Sequence, residues 1–372
     1  MITLQEVRTD RQLKAFIRFP ESLYQDHPYW VPPLRLMERD TLHWKKNPFF
    51  RHGQAIYFLA WRDGRIVGRI AAIIHRLEVE STGLRHARFG WLDMIDDLEV
   101  TRQLIHAVED WARREGMTHI KGPLGFTHLD KAGMLIDGFD LLPTMVTLYN
   151  FPYYVRHMEA LGFGKDVDWV EHRIRMPEEI PDRVRQLSET LATRYQLKRV
   201  KLNRRADILQ YRDGVFEMIR QAYSSLYDFV PMDKEESDSL TMQFLRFLKP
   251  EFLSVVLDPN DRVIGFGVTL PSFSQALRRC GGKLFPLGWF YLWRAMQRND
   301  TADLLLIGVA DEYRNKGVNA LIFQQVMEAF DEAGIQWVET NPELESNTSV
   351  QALWRRYDCE HVRTRRAWKK AI

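Results

Sequence analysis

Apolar and polar residues alternate in two pairs of short segments, and the second pair repeats the first. Residues 57–74 are typical of two strands joined by an Asp-Gly turn, and residues 252–271 of two strands joined by a Pro-Asn-Asp turn. An Asp-Gly pair between alternating segments is a strong signal for a β-hairpin. Aligning Gly68 with Gly265 places the two predicted hairpins at an offset of 197 residues (265 − 68).

The segments after each hairpin follow one another in the same order. Each half is predicted to continue with a strand, an amphipathic helix and a second strand: 89–94, 98–115 and 118–121, then 303–309, 319–333 and 335–340. Further on, aligning Gly162 with Asp358 gives an offset of 196 residues (358 − 162). Two independent segments at nearly one offset predict a duplicated α/β chain, with halves at about residues 1–172 and 173–372.

Composition limits the class of protein. The 372 residues, 45% hydrophobic and 27% charged, are typical of a soluble globular protein of about two domains. Two cysteines are too few for a disulfide framework, which favours a reducing cytoplasm. The N-terminus lacks a signal-peptide pattern, and no apolar run approaches the roughly 20 residues that span a bilayer. A net charge of +2 argues against a general nucleic-acid binder.

The second half contains the strongest candidate for a ligand site. In residues 304–320, LLLIGVADEYRNKGVNA, an apolar strand leads into a short turn with Arg314 and Gly317, and a helix begins at once. The first amides of a helix have no intrahelical acceptor, so this junction predicts a phosphate or pyrophosphate site. The equivalent residues 92–102 contain four acidic residues and no glycine, and would repel such a group.

The order of elements and this loop resemble the GNAT superfamily of acyltransferases. Arg314 and Gly317 match the family motif, while Asn319 stands where the family has Gly or Ala. The resemblance implies two tandem GNAT folds of the α/β (α+β) class, each a mixed central sheet flanked by helices. It also implies one site for acetyl-CoA or a longer acyl-CoA, bound by Ile307, Gly308, Val309, Arg314, Asn315, Lys316, Gly317, Val318, Asn319 and Ala320.

The family mechanism assigns parts to these residues. The strands around 303–309 and 335–340 would hold the pantetheine arm, with a backbone amide near Val309 stabilising the thioester oxyanion. The amides of residues 315–319 would hold the pyrophosphate, with Arg314 adding charge. Asn tolerates left-handed backbone better than other non-glycine residues, so the loop is expected to form despite Asn319.

Three residues are candidates for catalysis. An amine substrate is mostly protonated, because an alkylammonium pKa lies near ~10, so a base or a water chain must remove its proton. Glu339 is the candidate base, or else a solvated residue at a strand end. The family tyrosine that protonates the leaving thiolate aligns with Trp354, which leaves Tyr357 as a substitute or as a packed aromatic. Asn347 resembles the family asparagine that meets the cofactor, or else is a helix N-cap.

Two long insertions bear on the substrate. Residues 284–296, LFPLGWFYLWRAM, predict an apolar channel, an interfacial segment on a membrane, or the contact between the halves. Residues 122–150 form a glycine- and aromatic-rich loop, which predicts binding or lid closure. Within it His128, Asp130 and Asp137 match no metal-ligand spacing, so we predict no metal and interpret His128 as polar lining or surface.

Longer strings such as DHPYWVPP, GPLGFT, YNFPYY and GVNALIF resemble a bacterial group of tandem-GNAT proteins over nearly the whole chain. Similar proteins include bacterial ceramide synthases, which transfer a long acyl chain from coenzyme A to a sphingoid-base amine. The resemblance implies an N-acyltransferase with a small-molecule or lipid amine acceptor, with no nucleic-acid partner and with peripheral membrane contact as an option. Two alternatives stay open: a non-enzymatic acyl-CoA-binding module, and a CoA-free peptide or aminoacyl transferase.

Overall fold

The computed structural model describes residues 1–224, 226–314, 316–355 and 357–372. The first half alternates strands with helices and ends in a long strand. Its elements are β1 (Ile2–Glu6), α1 (Asp10–Leu23), α2 (Arg35–Leu42), β2 (Gly53–Arg62), β3 (Arg65–His75), α3 (Arg76–Thr82), β4 (His86–Met94), α4 (Leu98–Arg114), β5 (His119–Gly122), β6 (Met134–Asp137), α5 (Tyr153–Ala160) and β7 (Gly164–Arg175).

The second half repeats this order after a linker at residues 176–181. Its elements are α6 (Asp182–Tyr195), β8 (Lys198–Arg199), α7 (Arg205–Ala222), α8 (Lys234–Phe244), β9 (Leu253–Leu257), β10 (Val263–Pro271), α9 (Ser274–Cys280), α10 (Gly288–Gln297), β11 (Thr301–Val309), α11 (Asn319–Ala333), β12 (Trp337–Thr340), β13 (Glu343–Leu344), α12 (Thr348–Trp354) and β14 (Asp358–Ala371). The predicted hairpins, the strands that follow them and the helices α4 and α11 are all confirmed.

The register of the hairpins supports the alignment made from the sequence. Gly68 lies opposite Met94, the last residue of β4, and Gly265 lies opposite Val309, the last residue of β11. A Cβ at Gly68 would come within 2.7 Å of a side chain on α4, and one at Gly265 within 3.3 Å of a side chain on α11. Glycine at both positions therefore lets the following helix pack closely on its hairpin, and the two halves share this packing.

The strands form one mixed sheet in which the two halves exchange their last strands. The order is β1-β2-β3-β4-β5-β14-β7-β12-β11-β10-β9-β8, with β4 parallel to β5 and β11 parallel to β12. β7 ends the first half but pairs with β12 of the second, and β14 ends the second half but pairs with β5 of the first. The predicted boundary at residues 172 and 173 falls inside β7, and the division into two domains stays a prediction.

The apolar core is centred on each half, but the cluster of the second half also includes Val31, Leu34 and Met145 of the first. One buried cluster surrounds α11 and the β9–β10 hairpin, and two others pack around α4 and the β2–β3 hairpin. The helical stripe of α11 is buried, including Leu321, Ile322 and Phe330. Gly334 is the C-cap of α11 and has the left-handed conformation that glycine adopts without strain. Within the described part of the chain, no helix is both long and apolar enough to cross a bilayer.

Candidate functional site

The parallel strands β11 and β12 open into a wedge. Their backbone pairing ends where Leu304 lies opposite Thr340. The main-chain and side-chain amides of Asn341 then donate to the carbonyls of Leu304 and Leu305, both at 3.0 Å. From there β11 continues with β10 on one side. Among the described residues no strand pairs with the other side of residues 305–309, so a ligand that carries amide groups can pair there.

β11 ends at the loop that the sequence singles out. α11 begins at Asn319, directly after Gly317 and Val318. The amides of these three residues have no acceptor among the described residues, and they lie at the positive end of the α11 dipole. They therefore form a site suited to a phosphate group. Asn315, which belongs to the predicted cofactor set, lies outside the described residues.

Gly317 has the backbone conformation that fixes this loop. Its φ is +80°, and a Cβ there would come within 3.0 Å of Leu191 on α6. A side chain at this position is therefore both strained and crowded. Asn319 is helical and has no positive φ. Among the described residues of the loop, Gly317 is the one with a positive φ, so left-handed backbone is not required at Asn319.

The side chains of the loop divide into exposed cations and buried apolar groups. Arg314 pairs with Asp311 at 2.9 Å and donates to the carbonyl of the last residue of α7 at 3.2 Å. Lys316 is exposed, with its Nζ 5.1 Å from the ring centroid of Tyr313. Val318 and Ala320 are buried, so they can offer amides but not side chains to a ligand. Arg314 and Lys316 add positive charge beside those amides.

An apolar cavity of about 360 Å³ opens beside the wedge, a size within the range of small-molecule sites, about 300–1,000 Å³. Helices α7 and α8 wall it on one side, and strands β9 to β11 on another. Leu305, Leu306 and Ile307 line it from β11. The first half contributes residues of the 122–150 insertion and Trp169 of β7. The cavity is thus built by both halves, and the insertion forms part of its wall.

The corresponding wedge of the first half is filled by the chain itself. Pairing of β4 with β5 ends at Arg88, and the amide of Leu124 donates to the carbonyl of Phe89 at 2.8 Å. A Cβ at Gly90 would lie 2.4 Å from the Leu124 carbonyl oxygen, so the insertion packs directly on β4. At the start of α4 the carboxylate of Asp97 already accepts a helix amide at 2.8 Å. The two wedges therefore differ, and one cofactor site, in the second half, stays a prediction.

Glu339 faces a different cavity. It lies opposite Asp303 on β11 and Arg173 on β7, and its carboxylate accepts from the two Nη atoms of Arg363 at 3.0 and 3.1 Å. Burial raises the pKa of Glu339, and burial together with the nearby Glu339 raises the pKa of Asp303 to about 8. Glu339 lines a polar cavity of about 620 Å³ with arginines of β7, α9 and α10. The structure therefore does not bring Glu339 together with Asn347, which lines the apolar cavity.

The other two catalytic candidates lie on and after α12. Asn347 is the N-cap of α12, with its Oδ1 accepting the amide of Val350 at 3.4 Å. Tyr357 packs against the core of the second half and does not line the apolar cavity. Trp354, at the position of the family tyrosine, is buried and donates from Nε1 to Glu343 at 2.7 Å. Of the three, only Asn347 reaches the cavity.

Two residues of the cavity wall were not singled out as catalytic or cofactor-binding candidates. The hydroxyl of Tyr223, directly after α7, donates to the carbonyl of Ile307 in the wedge at 3.1 Å. Burial raises the pKa of Tyr223, so this hydroxyl stays protonated. His128 packs on Phe229, with 4.6 Å between the ring centroids, and its burial beside Arg88 lowers its pKa to about 4. Both residues reach the cavity through contacts between elements distant in sequence, which no local sequence pattern reveals. The interpretation of His128 as a polar residue that lines a site is confirmed.

The aromatic segment 284–296 lies away from the apolar cavity. Leu284 and Leu292 pack inward on the core of the second half. Phe285 is 79% exposed and Trp289 is 54% exposed. The outer side of this segment therefore forms neither an acceptor channel nor the contact between the halves.

Comparison with known proteins gives relatives over the full length. No protein-family model matches the chain. It is 32% identical over 373 residues to protein YghO of Escherichia coli strain K12, covering 97% of this chain and 93% of that protein. It is 30% identical over 380 residues to the bacterial ceramide synthase of Caulobacter vibrioides, covering 98% of this chain and 96% of that protein.

Solved structures give the same fold at low identity. A tandem GNAT protein from the clavulanic acid biosynthesis pathway is similar with a TM-score of 0.59 at 12% identity, over 100% of this chain and 98% of that one. A GCN5-related N-acetyltransferase from Sphaerobacter thermophilus is similar with a TM-score of 0.55 at 12% identity, over 100% of this chain and 95% of that one. These likenesses confirm the tandem GNAT fold.

Proposed function

Because this chain belongs to the tandem-GNAT group that includes the bacterial ceramide synthase, we propose that it is an acyl-CoA-dependent N-acyltransferase. The second half would bind the acyl-CoA, and both halves would shape the site of the amine acceptor. The observation that carries the proposal is the sequence of three features along β11: an apolar cavity, a strand edge that no described strand pairs with, and a loop whose amides have no described acceptor.

Each part of this arrangement suits one part of an acyl-CoA. The amides at the start of α11, with Arg314 and Lys316 beside them, suit the pyrophosphate. The edge of β11 at residues 305–309, which no described strand pairs with, suits the amide groups of the pantetheine arm. The apolar cavity lined by Leu305 and Ile307 suits the acyl chain or an apolar acceptor.

The reaction would be a direct transfer between the two substrates. The amine nitrogen attacks the thioester carbonyl carbon, an N–C bond forms, the C–S bond breaks, and the thiolate leaves and takes up a proton. A backbone amide of β11 near Leu305, where the wedge opens, is the candidate to stabilise the oxyanion, because Val309 lies beside the pyrophosphate loop, at the other end of the arm from the thioester. Glu339 or a water chain would accept the proton of the ammonium, and Tyr357 stays a candidate for the thiolate proton. Tyr223 contacts the wedge directly through its bond to the carbonyl of Ile307.

A lipid-like amine is the acceptor class that the cavity favours. Its wall is mainly apolar, with contributions from α7, α8, β11 and the 122–150 insertion. A buried apolar wall stabilises hydrocarbon by roughly 25 cal/mol per Å² removed from water, but gives little to a small polar amine. A relative at 30% identity is named a ceramide synthase, which agrees with an acceptor or donor that carries a long chain.

Binding of an acyl-CoA to a Gly317→Glu variant tests the cofactor site. We expect at least a tenfold loss of affinity in calorimetric titration, because the carboxylate would lie among the amides that receive the pyrophosphate. Gly334→Glu is the matched control: Gly334 also has a positive φ, +72°, on the same helix, but it lies at the other end in open space. Equal affinity in both variants would show that the loop is not the cofactor site.

A second candidate is an acyl-CoA-binding protein without catalysis. The observation that favours it is Trp354, which is buried and bonded to Glu343 where the family has its tyrosine acid. This candidate predicts binding that Gly317→Glu abolishes, together with no amide product from any amine in a panel that includes long-chain amines. Product formation that depends on Gly317 would exclude it.

A further inference from the structure

The outer surface of α10 and of the loop before it exposes large apolar side chains. Phe285, Leu287, Trp289, Phe290 and Trp293 are 79%, 56%, 54%, 38% and 53% exposed; we name these five residues the α10 patch. Among the described residues, every exposed tryptophan or phenylalanine belongs to it. Concentrated exposed apolar surface of this kind usually marks an interaction site.

The orientation of α10 is the reverse of that of an ordinary surface helix. Gly288 and Leu292 face inward and are buried, while Trp289 and Trp293, one turn apart, face outward. Phe290 lies beside them, with its ring centroid 6.0 Å from that of Trp293. A helix at a water-facing surface normally presents its polar side outward. The outer side of α10 is therefore suited to burial against a partner surface.

The charge along the chain segment that carries the α10 patch has one sign. The sequence has no acidic residue between Asp261 and Asp300. Five basic residues lie in and around this stretch of the surface: Arg278, Arg279, Lys283, Arg294 and Arg298, all exposed. Within the described part of the chain, none of the five forms a salt bridge, whereas Arg262 and Arg314 of the same half pair with Glu312 and Asp311. The cations thus remain available to an anionic partner.

From these observations we propose that the α10 patch docks on an anionic lipid membrane. Tryptophan and phenylalanine flanked by cations are the composition of interfacial segments, whose aromatic rings enter the boundary of headgroups and acyl chains. Each lysine or arginine near an anionic bilayer adds to the attraction. A second copy of this chain fits less well, because symmetric contact of two patches would bring their basic rims together.

The docking is independent of acyl-CoA binding. α10 does not line the apolar cavity, but Tyr291 and Arg294 line the polar cavity of about 620 Å³. A membrane-bound α10 would therefore bring this arginine-lined cavity close to the lipid headgroups. Loss of acyl-CoA binding would leave the docking unchanged, and loss of docking would leave acyl-CoA binding unchanged.

Flotation of the full chain with lipid vesicles tests the proposal. We expect co-flotation with vesicles of phosphatidylglycerol and phosphatidylcholine, and at least a tenfold lower bound fraction with phosphatidylcholine alone or in high salt. The double variant Trp289→Ser and Trp293→Ser should lose binding by at least tenfold. Arg294→Gln with Arg298→Gln should lose binding to the anionic vesicles while its thermal unfolding stays unchanged. Met242→Ser is the matched control, because Met242 is 58% exposed on α8, away from the patch.

Three results from these preparations would overturn the proposal. Absence of the wild-type chain from the anionic vesicle fraction would overturn it. Equal flotation of the double tryptophan variant and the Met242→Ser control would also overturn it, since the patch would then have no part in binding. A third overturning result is a concentration-dependent dimer in sedimentation that the tryptophan variant abolishes, because the patch would then bind a second copy.

Discussion

Asp303 is a fully buried carboxyl group in the middle of the sheet. It lies on β11 opposite Glu339 of β12, two positions before the wedge opens at Leu305. Burial, and next the charge of Glu339, raise its pKa to about 8. In the unfolded chain the pKa of an aspartate is near ~3.9. The folded protein therefore holds a proton on Asp303 across a pH range in which the unfolded chain has released it.

An Asp303→Asn variant tests this proton. A pKa raised in the folded state contributes stability that is complete below the unfolded pKa and is lost as pH rises through the folded one, here from about 4 to about 8. Asparagine does not titrate, so the variant should gain stability relative to the wild type as pH rises. One pKa unit corresponds to about 1.4 kcal/mol, and we expect a relative gain of at least this size between pH 5 and pH 8 in chemical denaturation.

The control for this measurement is Asp300→Asn. Asp300 is an exposed carboxylate just before β11, and its replacement should leave the pH dependence of the free energy of unfolding unchanged. A constant difference between wild type and Asp303→Asn from pH 5 to pH 8 would show that Asp303 does not hold the proton.

At this scale the sequence predicts backbone positions better than side-chain contacts. Gly317 follows from a local pattern of strand, turn and helix, and its left-handed backbone is a local property. The bond of Tyr223 to Ile307 joins residues 84 positions apart, and the pair of Glu339 with Arg363 depends on which strands are neighbours. Such contacts are fixed by the tertiary packing. They cannot be predicted from the sequence until it is known which elements are adjacent in the fold.

Among the elements, β7 and β14 form the joint of the molecule. Glu171 on β7 lies opposite Arg363 on β14 and accepts from its Nη1 at 3.0 Å, and it also accepts from Nε of Arg365. All three side chains are at most 1% exposed. Arg363 and Arg365 also donate to carbonyls of Leu142 and Leu148, in the 122–150 insertion. The joint therefore ties the insertion to the strand pair that connects the halves.

Removing the charge of Glu171 should destabilise this joint strongly. In Glu171→Gln, Arg365 loses the carboxylate that compensates its buried charge, and breaking a buried ion pair from one side costs about 3–5 kcal/mol. Glu345→Gln is the control, because Glu345 pairs at an exposed site with Lys165, which lies on β7 as Glu171 does. Exposed pairs contribute about 0–1 kcal/mol. Equal free energies of unfolding for the two variants, measured in urea, would contradict the role given to Glu171.

The whole molecule is a duplication whose halves have exchanged equivalent strands. The offset of Gly68 and Gly265 reveals the duplication, because both halves keep the same order of elements. The order of elements does not reveal that the halves exchange their last strands. β7 and β14 occupy the same position in their halves, each after a short helix, so trading them leaves the hydrophobic periodicity unchanged. A linker at residues 176–181 is compatible with either arrangement.

Cutting the chain in that linker tests the exchange. Alone, fragment 1–178 lacks β14 beside β5 and leaves β7 without its partners, and fragment 179–372 lacks β7 between β12 and β14. Long unpaired strand edges and an opened core are costly, so neither fragment should unfold cooperatively by itself. Produced together, the fragments should form a one-to-one complex that survives gel filtration and unfolds in a single transition, because every pair of the sheet is then restored. If each fragment folds alone and the two separate on dilution, the halves are independent domains joined by a linker. That result would rule out the exchange of β7 and β14 as the connection between them.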